Sequence, residues 1–477
     1  MRGSYTEGCR ALSFHNRWAA VPSITQIPSN SRGAAVTTPA EAAAFRVPVE
    51  RLTLANGLRV VVSPEHSAPV VCVAVYYGVG MRLEPRGRTG FAHLFEHLMF
   101  QGSRQMAKME LVGLVQANGG LLNGSTRTDF TNYFEVMPSH TLELALWMEA
   151  DRMRGPVITQ TELDNQRDVV KNEIRVNVLN RPYGSFPWID MQERAFTNWH
   201  NAHNGYGDMV DLDAASLADA RAFFDAYYSP ANAVLVVVGD AEPADVFAMA
   251  RRYFEAIPAA PPPPRAEIDE PPQEAERRFT RVDPLAPTPA LAVAYHTPPA
   301  ATPEYYALGL LHQALAEGDD ALLHAELVSK RGYASEVDGG INFLGHMHNA
   351  QTPLLWCVTL VHDSDVTADA ILESFDEVIE GVRERGLNAE ALARARTKAR
   401  ASLFGTIADQ YIPGFGLADL LASFELFEGD ASRVNDLDAR FTAVTSELVA
   451  SVARDYLRRE NRVILELHAG AATEAAS

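Results

Sequence analysis

The chain has 477 residues, 47% hydrophobic and 21% charged, an ordinary composition for a globular protein large enough for two or three domains. Its 41 basic and 61 acidic residues give a net charge of -20, which disfavours nucleic acids and anionic membrane surfaces as partners. No apolar run is long enough to span a bilayer, and the three cysteines lack the spacing of a disulfide framework or a thiolate zinc site.

The first segment, residues 1–44, is rich in arginine, small and polar residues and almost free of acidic ones. It has no apolar core typical of a secretory signal, so we predict a disordered tail, with a mitochondrial transit segment as the alternative. Few lysines and many Ala, Pro and Gly residues are typical of a GC-rich bacterial genome. We therefore expect a cytoplasmic bacterial protein, or a mitochondrial matrix protein if the source is eukaryotic.

Strand patterns follow this tail. Residues 52–54 and 58–62 flank Asn56-Gly57, and an Asn-Gly pair between apolar runs is a strong hairpin signal. Residues 70–77 form a further apolar run that predicts another strand. The pattern then changes from strand to helix.

Residues 90–102 predict a helix that packs on two sides, with Thr89 as its N-cap and Gly102 as its stop. His93 and His97 are four residues apart, so both imidazoles leave one face of the helix and can hold one zinc ion. Glu96 lies beside them, and the order His-x-x-Glu-His is an inverted zinc-peptidase signature. The alternative is a helix with two structural histidines and a surface glutamate.

A catalytic zinc site needs a third protein ligand from another element. Beyond a predicted helix at 109–118, strands within 119–137 and a helix at 142–153, residues 161–179 predict a second amphipathic helix with Glu173 near its middle. Its predicted apolar face consists of Leu163, Val169, Val170, Ile174 and Val178.

These segments resemble the pitrilysin-type metallopeptidases, in particular the short subfamily that includes the mitochondrial processing peptidases and their bacterial relatives. Residues 56–60, 181–184 and 227–233 carry further likeness, which extends over most of the chain from about residue 47. The resemblance implies that Glu173 is the third ligand, that each chain binds one Zn2+ and that Glu96 activates water for peptide hydrolysis. Gln166 stands where processing peptidases often have an acid, which puts any role of an acid there in doubt.

The resemblance also gives the strand at 121–125 a role as an exposed edge to which a substrate peptide adds as an extra strand. It implies that Leu122, Asn123 and Gly124 bind substrate through main-chain hydrogen bonds. An ordinary internal hairpin is the alternative for this segment.

A Pro-rich and acidic segment, residues 257–276, predicts a linker that divides the chain almost in half. We predict a zinc-bearing half-domain at 45–256, a metal-free homologous half-domain at 277–471 and a short tail at 472–477. Asn232 and Asn461 stand at matching places in the two halves. The expected fold class is α+β, with two tandem half-domains that each form an antiparallel sheet with helices on one side.

The second half has no metal motif. His312 lies alone on a predicted helix, and we expect His346 and His348, which alternate on a predicted strand, to be surface or packing residues.

In active relatives a zinc-free half contributes an arginine and, seven residues later, a tyrosine that bind the substrate carbonyl. Here Tyr333 matches the tyrosine, but Glu326 holds the arginine position. We therefore expect a second, zinc-free family subunit as partner, with a homodimer that uses Arg331 as the lesser option. A catalytically silent scaffold of the same family and a zinc hydrolase acting on non-peptide substrates remain as alternative functions.

Overall fold

The computed structural model describes residues 46–261, 263–409 and 411–470. The predicted tails at 1–44 and 472–477 lie outside the described residues. Within the described part of the chain, the predicted linker at 257–276 contains no helix or strand. None of the described helices combines the length and the apolar character that a membrane span requires.

The first half contains a six-stranded sheet in the order β1-β2-β6-β3-β5-β4. The turn between β1 and β2 confirms the predicted hairpin, because Leu54 N donates to Leu58 O at 2.9 Å and Gly57 adopts a φ of 87°. All neighbouring strands run antiparallel except β2 and β6, which are parallel. The strands are β1 (Glu50–Thr53), β2 (Arg59–Pro64), β3 (Val70–Tyr77), β4 (Leu121–Thr126), β5 (Thr131–Pro138) and β6 (Ala233–Gly239).

The helices of the first half are α1 (Phe91–Leu98), α2 (Glu110–Ala117), α3 (Leu142–Arg154), α4 (Gln160–Ile174), α5 (Asp190–Ala195), α6 (Trp199–Ala202), α7 (Met209–Asp213), α8 (Leu217–Tyr227) and α9 (Pro243–Phe254). Helix α4 continues into a π-helical segment, Arg175–Leu179. The predicted apolar face of α4 is correct except at Val169, which is 36% exposed. The prediction for Val169 is wrong because the buried face of α4 runs through Leu163, Gln166, Val170 and Ile174, and Val169 lies off this face.

The second half contains a five-stranded sheet in the order β7-β11-β8-β10-β9, again with one parallel pair, β7 and β11. Its strands are β7 (Arg277–Asp283), β8 (Ala290–His296), β9 (Asp338–Ile341), β10 (Leu355–Val361) and β11 (Arg462–Ala469). Its helices are α10 (Pro303–Leu315), α11 (Leu322–His324), α12 (Ala368–Arg385), α13 (Ala389–Ile407), α14 (Phe415–Phe427), α15 (Leu437–Ala443) and α16 (Ser446–Tyr456). A second π-helical segment, Ala325–Lys330, follows α11.

The two halves repeat one topology, which confirms the predicted α+β fold of two tandem half-domains. Counted within each half, β2-β6-β3-β5-β4 and β7-β11-β8-β10-β9 are the same strand order. The matching asparagines also bond alike: Asn232 donates to Tyr227 O at 2.9 Å, and Asn461 donates to Tyr456 O at 2.8 Å. The parallel pair in each sheet departs from the predicted antiparallel pattern, because the last strand inserts beside the first in the same direction.

Each sheet is covered on both faces. In β3, Val71 and Val73 belong to the core under the helices of the first half, whereas Cys72 and Ala74 belong to a core shared with the second half. Helix α14 packs on this second face, and α5 of the first half packs on β8 and β11 in return. This reciprocal packing explains why the central strands are continuously apolar rather than alternating.

Candidate metal centre

Helix α1 leaves one face half-buried and buries the others. Phe91, Ala92, Leu94, Phe95 and Leu98 are buried, which leaves the two histidines and Glu96 on the remaining, half-buried face. The helix ends at Leu98, with Met99 as its C-cap, so Gly102 lies beyond its end.

The backbone N–H groups at the start of α1 are bound by a side chain from outside the helix, which the sequence analysis did not predict. Gly90, with a φ of 78°, occupies the N-cap position predicted for Thr89. The buried Glu84 carboxylate accepts hydrogen bonds from Gly90 N at 2.9 Å and from Ala92 N at 2.8 Å. The prediction for Thr89 is wrong because its hydroxyl donates to Asp211 at 2.8 Å instead.

Glu84 also has a side-chain partner. His203 Nε2 lies 3.2 Å from Glu84 Oε2, and the His203 ring stacks on Trp199 with a centroid distance of 4.1 Å. Burial lowers the pKa of His203, but its hydrogen bond to Glu84 and the charge of that carboxylate outweigh burial and raise it. Burial raises the pKa of Glu84 although His203 and the two backbone N–H groups oppose it. The zinc-motif helix is thus fixed to the loop around His203 by one buried carboxylate.

His93, His97 and Glu173 converge between α1 and α4. The two Nε2 atoms of the histidines are 3.3 Å apart, and each lies 3.6 Å from Glu173 Oε2. Ligands about 2.0–2.1 Å from a tetrahedral zinc ion lie roughly 3.3–3.4 Å from one another. Two imidazoles and a carboxylate are a zinc donor set, so these residues fit a zinc ion. Among the described residues, no other group of three or more His, Cys, Asp or Glu side chains is arranged in this way.

The protein groups alone favour the metal-binding forms of His93 and Glu173 but not of His97. Burial lowers the pKa of His97, but Glu173 and Glu96 outweigh burial and raise it, so a metal ion would compete with a proton at this imidazole. Burial and the neighbouring His97 lower the pKa of His93 to about 3, which keeps its imidazole neutral. Burial raises the pKa of Glu173, but the interaction with His97, 3.6 Å away, and the charges of the two imidazoles outweigh it, so the carboxyl group ionises more readily than usual. A neutral imidazole and an ionised carboxylate are the forms that bind a metal.

Glu96 lies on the same half-buried face of α1 without joining the ligand group. The Thr126 hydroxyl donates to Glu96 Oε2 at 2.7 Å. Burial raises the pKa of Glu96 although His97 and Thr126 oppose the increase. A carboxylate in this setting accepts and releases a proton nearer to neutral pH than an exposed one.

Strand β4 forms the edge of the first sheet, as the sequence predicted, and passes directly beside Glu96. It pairs only with β5, with Leu122 opposite Glu135 and Gly124 opposite Tyr133. A Cβ atom on Gly124 would lie 3.2 Å from Glu96 Oε1. The part of β4 that contains Leu122, Asn123 and Gly124 is therefore next to the candidate metal centre, and substrate binding by these residues stays a prediction.

Two residues around the ligands had no assigned role from sequence. Gln166 is buried and is one of the groups that raise the pKa of His97, so an amide occupies the place next to this ligand. The ring of Tyr206 lies 4.8 Å from the ring of His93, between centroids. Tyr206 follows α6 in a stretch without periodicity, so nothing in the sequence pointed to it.

The predicted substrate-binding residue of the second half is not brought to this centre. Tyr333 N donates to Leu327 O at 2.9 Å, and Glu326 pairs with Lys330 at 2.7 Å and with Arg331 at 2.8 Å. All of these contacts lie within the second half. None of the described contacts joins Tyr333 to the three candidate ligands.

The histidines of the second half do not form a metal site among the described residues. The predicted strand through His346 and His348 is wrong, because the chain turns there and Asn349 Oδ1 accepts a hydrogen bond from His346 N at 3.1 Å. His346 Nε2 lies 2.9 Å from Asp419 Oδ2, and the His348 ring lies 5.7 Å from the Phe424 ring. These contacts agree with the packing roles expected for both.

Family models match both halves of the chain. Residues 59–183 match the family described as Insulinase (Peptidase family M16), and residues 214–399 match the family described as Peptidase M16 inactive domain. The three candidate ligands and Glu96 all lie in the first range. The second range covers most of the half in which the described residues contain no metal cluster.

Individual proteins and structures give the same likeness. Zinc protease PqqE from Helicobacter pylori is 27% identical over 416 residues, which cover 86% of this chain and 90% of that protein. A crystal structure of a protease from Helicobacter pylori has a TM-score of 0.82 and 25% identity, over 89% of this chain and 100% of that chain. Cytochrome b-c1 complex subunit 1, mitochondrial, from Homo sapiens is 26% identical over 205 residues, or 43% of this chain and 42% of that protein.

Proposed function

Because the chain belongs to peptidase family M16, we propose that it is a zinc-dependent endopeptidase that hydrolyses peptides or unfolded segments. The observation that carries this proposal is the convergence of His93, His97 and Glu173, with Glu96 beside them and an open sheet edge alongside. Zinc chemistry agrees with the names of the related zinc proteases.

His93, His97 and Glu173 would hold one zinc ion per chain. When bound, zinc supplies a Lewis acid that makes hydroxide available from water near neutral pH. Catalytic zinc sites have three protein ligands and one further position for water or substrate, and these three residues would form such a ligand set. Gln166, a buried amide next to His97, would help to orient this ligand.

Glu96 is the proposed general base and acid. It takes a proton from the attacking water as the water oxygen bonds to the carbonyl carbon of the substrate. It then gives that proton to the amide nitrogen as the carbon–nitrogen bond breaks, so one carboxylate serves both steps. The Thr126 hydroxyl, 2.7 Å from Glu96 Oε2, fixes the orientation of the carboxylate.

The outer edge of β4 supports an extended peptide as the substrate. A peptide that adds there as a strand would bond to the backbone of Leu122, Asn123 and Gly124, whatever its side chains. Its backbone would then run past Glu96, which lies close to Gly124. Only an unfolded segment can offer its backbone in this way, so folded proteins are poor substrates.

The glutamate at position 326 is the observation that favours a partner subunit in this proposal. The arginine expected from the zinc-free half is a glutamate here, already paired with Lys330 and Arg331. A second, zinc-free family subunit with both arginine and tyrosine would complete the site, and a homodimer using Arg331 is the lesser option.

The likeness to a cytochrome b-c1 subunit and the match to an inactive domain favour a silent scaffold as the second candidate function.

Zinc analysis and peptide hydrolysis test the proposal. The purified full chain should hold one zinc ion and cleave an unfolded peptide mixture, and a chelator should stop the cleavage. Glu96→Gln should keep the zinc and lose at least about 10²-fold in turnover, because it removes the general base. A chain that binds no zinc and cleaves nothing, alone or with a zinc-free family subunit, favours the scaffold instead.

A further inference from the structure

The first half contributes an aromatic side chain to the metal centre that its zinc motif does not contain. The Tyr206 ring centroid lies 4.8 Å from that of His93 and 5.5 Å from that of Trp188. Its loop is pressed against the start of α1, because a Cβ atom on Gly207 would lie 2.7 Å from Gly90 Cα. The position of Tyr206 is therefore coupled to the helix that carries two candidate ligands.

The hydroxyl of Tyr206 can donate a hydrogen bond. Its oxygen accepts a hydrogen bond from Asn177 Nδ2 at 3.2 Å, and Asn177 belongs to the π-helical segment that follows Glu173. A phenol can also donate one hydrogen bond. Within the described part of the chain, the hydroxyl makes no hydrogen bond other than the one from Asn177.

The phenol of tyrosine ordinarily loses its proton only at about pH 10, so it is a neutral hydrogen-bond donor at neutral pH. The ring contact between Tyr206 and His93 places this donor beside the metal centre.

Peptide hydrolysis needs such a donor. Negative charge develops on the carbonyl oxygen during attack, and hydrogen-bond donors aimed at this oxygen lower the barrier. The second half supplies no arginine at the expected position, since Glu326 stands there, and Tyr333 makes no described contact with the metal centre. A donor from the first half would compensate within one chain.

We propose that Tyr206 is a catalytic residue whose hydroxyl donates a hydrogen bond to the carbonyl oxygen of the scissile bond and to the oxyanion formed from it. The assignment rests on the proposed peptidase function. The phenol keeps its proton throughout, so no covalent bond to Tyr206 forms or breaks. Asn177 orients the hydroxyl by donating to its oxygen.

The competing role of Tyr206 is to pack against the ring of His93. Tyr206→Phe separates the two roles, because it keeps the ring and removes only the oxygen. Tyr227→Phe is a matched control: this half-buried hydroxyl donates to Leu83 O at 3.2 Å and has no described contact with the candidate ligands. Zinc content and thermal unfolding should be the same in both variants and in the wild type.

Two measurements on the zinc-loaded full chain test the proposal. The first is steady-state hydrolysis of one peptide, in which Tyr206→Phe should lower kcat by about 10²-fold and change KM by less than about threefold. The second is equilibrium binding of a peptide phosphonate, an anionic tetrahedral mimic, compared with binding of the uncleaved peptide to chains that also carry Glu96→Gln. Tyr206→Phe should weaken phosphonate binding by about 10²-fold and peptide binding by less than about threefold, whereas Tyr227→Phe should change neither.

The outcomes separate failure of this assignment from failure of the peptidase proposal. Equal kcat and equal phosphonate affinity in Tyr206→Phe and wild type would overturn the role of Tyr206 alone. Loss of zinc in Tyr206→Phe would also overturn it, in favour of a packing role. A wild-type chain that hydrolyses no peptide, with or without a zinc-free subunit, would overturn the proposed function and the role of Tyr206 with it.

Discussion

Glu84 offers a test of how α1 is held in place. Its carboxylate accepts hydrogen bonds from Gly90 N and Ala92 N and pairs with His203, while its own exposure is 0%. In Glu84→Gln the amide oxygen can accept only one of the two backbone hydrogen bonds, and the amide nitrogen faces the other donor. One buried N–H group then lacks an acceptor, which costs about 1–3 kcal/mol.

The alanine substitution at Glu84 removes more hydrogen bonds than the glutamine substitution. Glu84→Ala leaves both backbone donors and His203 without this partner, so we expect the free energy of unfolding to fall by about 2–6 kcal/mol. This is a large share of the roughly 5–15 kcal/mol that holds a typical domain together. The first turn of α1 carries His93, so the zinc affinity should also fall, by about 10- to 100-fold.

Urea unfolding of the metal-free chain, held in chelator, measures the first effect, and competition with a chromophoric chelator measures the zinc affinity. Glu110→Gln is the control, because Glu110 accepts a hydrogen bond from Ala107 N at 2.7 Å on the exposed start of the next helix. It should change both quantities far less. If Glu84→Gln unfolds like the wild type, or loses stability without losing zinc affinity, α1 does not depend on this carboxylate.

Three further changes test other parts of the structure. Gly124→Ala would place a Cβ atom 3.2 Å from Glu96 Oε1 and so displace the proposed base. The value of kcat/KM should fall by roughly tenfold or more with zinc content unchanged. Wild-type kinetics in this variant would contradict the close approach of β4 to Glu96. The pKa of His203 is raised above its ordinary 6.5, so the contribution of His203 to stability is complete below pH 6.5 and is lost as the pH rises through the folded-state pKa. The difference in unfolding free energy between wild type and His203→Gln should therefore shrink from pH 6 to pH 8. A constant difference would contradict the raised pKa. The isolated chain should cleave long peptides slowly and speed up on adding a zinc-free family subunit, whereas rapid cleavage by the chain alone would remove the need for that partner.

The sequence revealed the parts of the centre that follow from local spacing. His93 and His97 share a face because four residues make about one helical turn, and Glu96 adjoins them for the same reason. Glu173 was found through resemblance, since no local rule tells that α4 lies beside α1. Tandem half-domains were also predictable, because the strand and helix patterns recur after the linker.

Long-range contacts were beyond the sequence rules. Thr89 is a better N-cap by residue type, yet Glu84 reaches the first turn of α1 from a preceding loop and Gly90 takes the cap position. His203 pairs with Glu84 across 119 residues, and Tyr206 reaches His93 from a loop without periodicity. The exposed side of Val169 depended on which face of α4 meets the core.

The reciprocal packing of the two halves was also hidden. A sheet with helices on one side predicts alternating strands, whereas β3 and β6 are apolar on both faces because α14 of the second half covers the other side. The polar link between Asp419 on α14 and Tyr76 on β3, at 2.8 Å, likewise joins residues 343 positions apart. Such contacts depend on the assembled fold and leave no periodic signal in either segment.

The most direct test of the central claim is the zinc content of the full chain and of Glu173→Gln after dialysis against metal-free buffer. Convergence of two imidazoles and one carboxylate predicts one zinc ion per wild-type chain and a marked loss in the variant. Equal zinc in both proteins would show that Glu173 is not a ligand, and no zinc in either would contradict the metal centre itself.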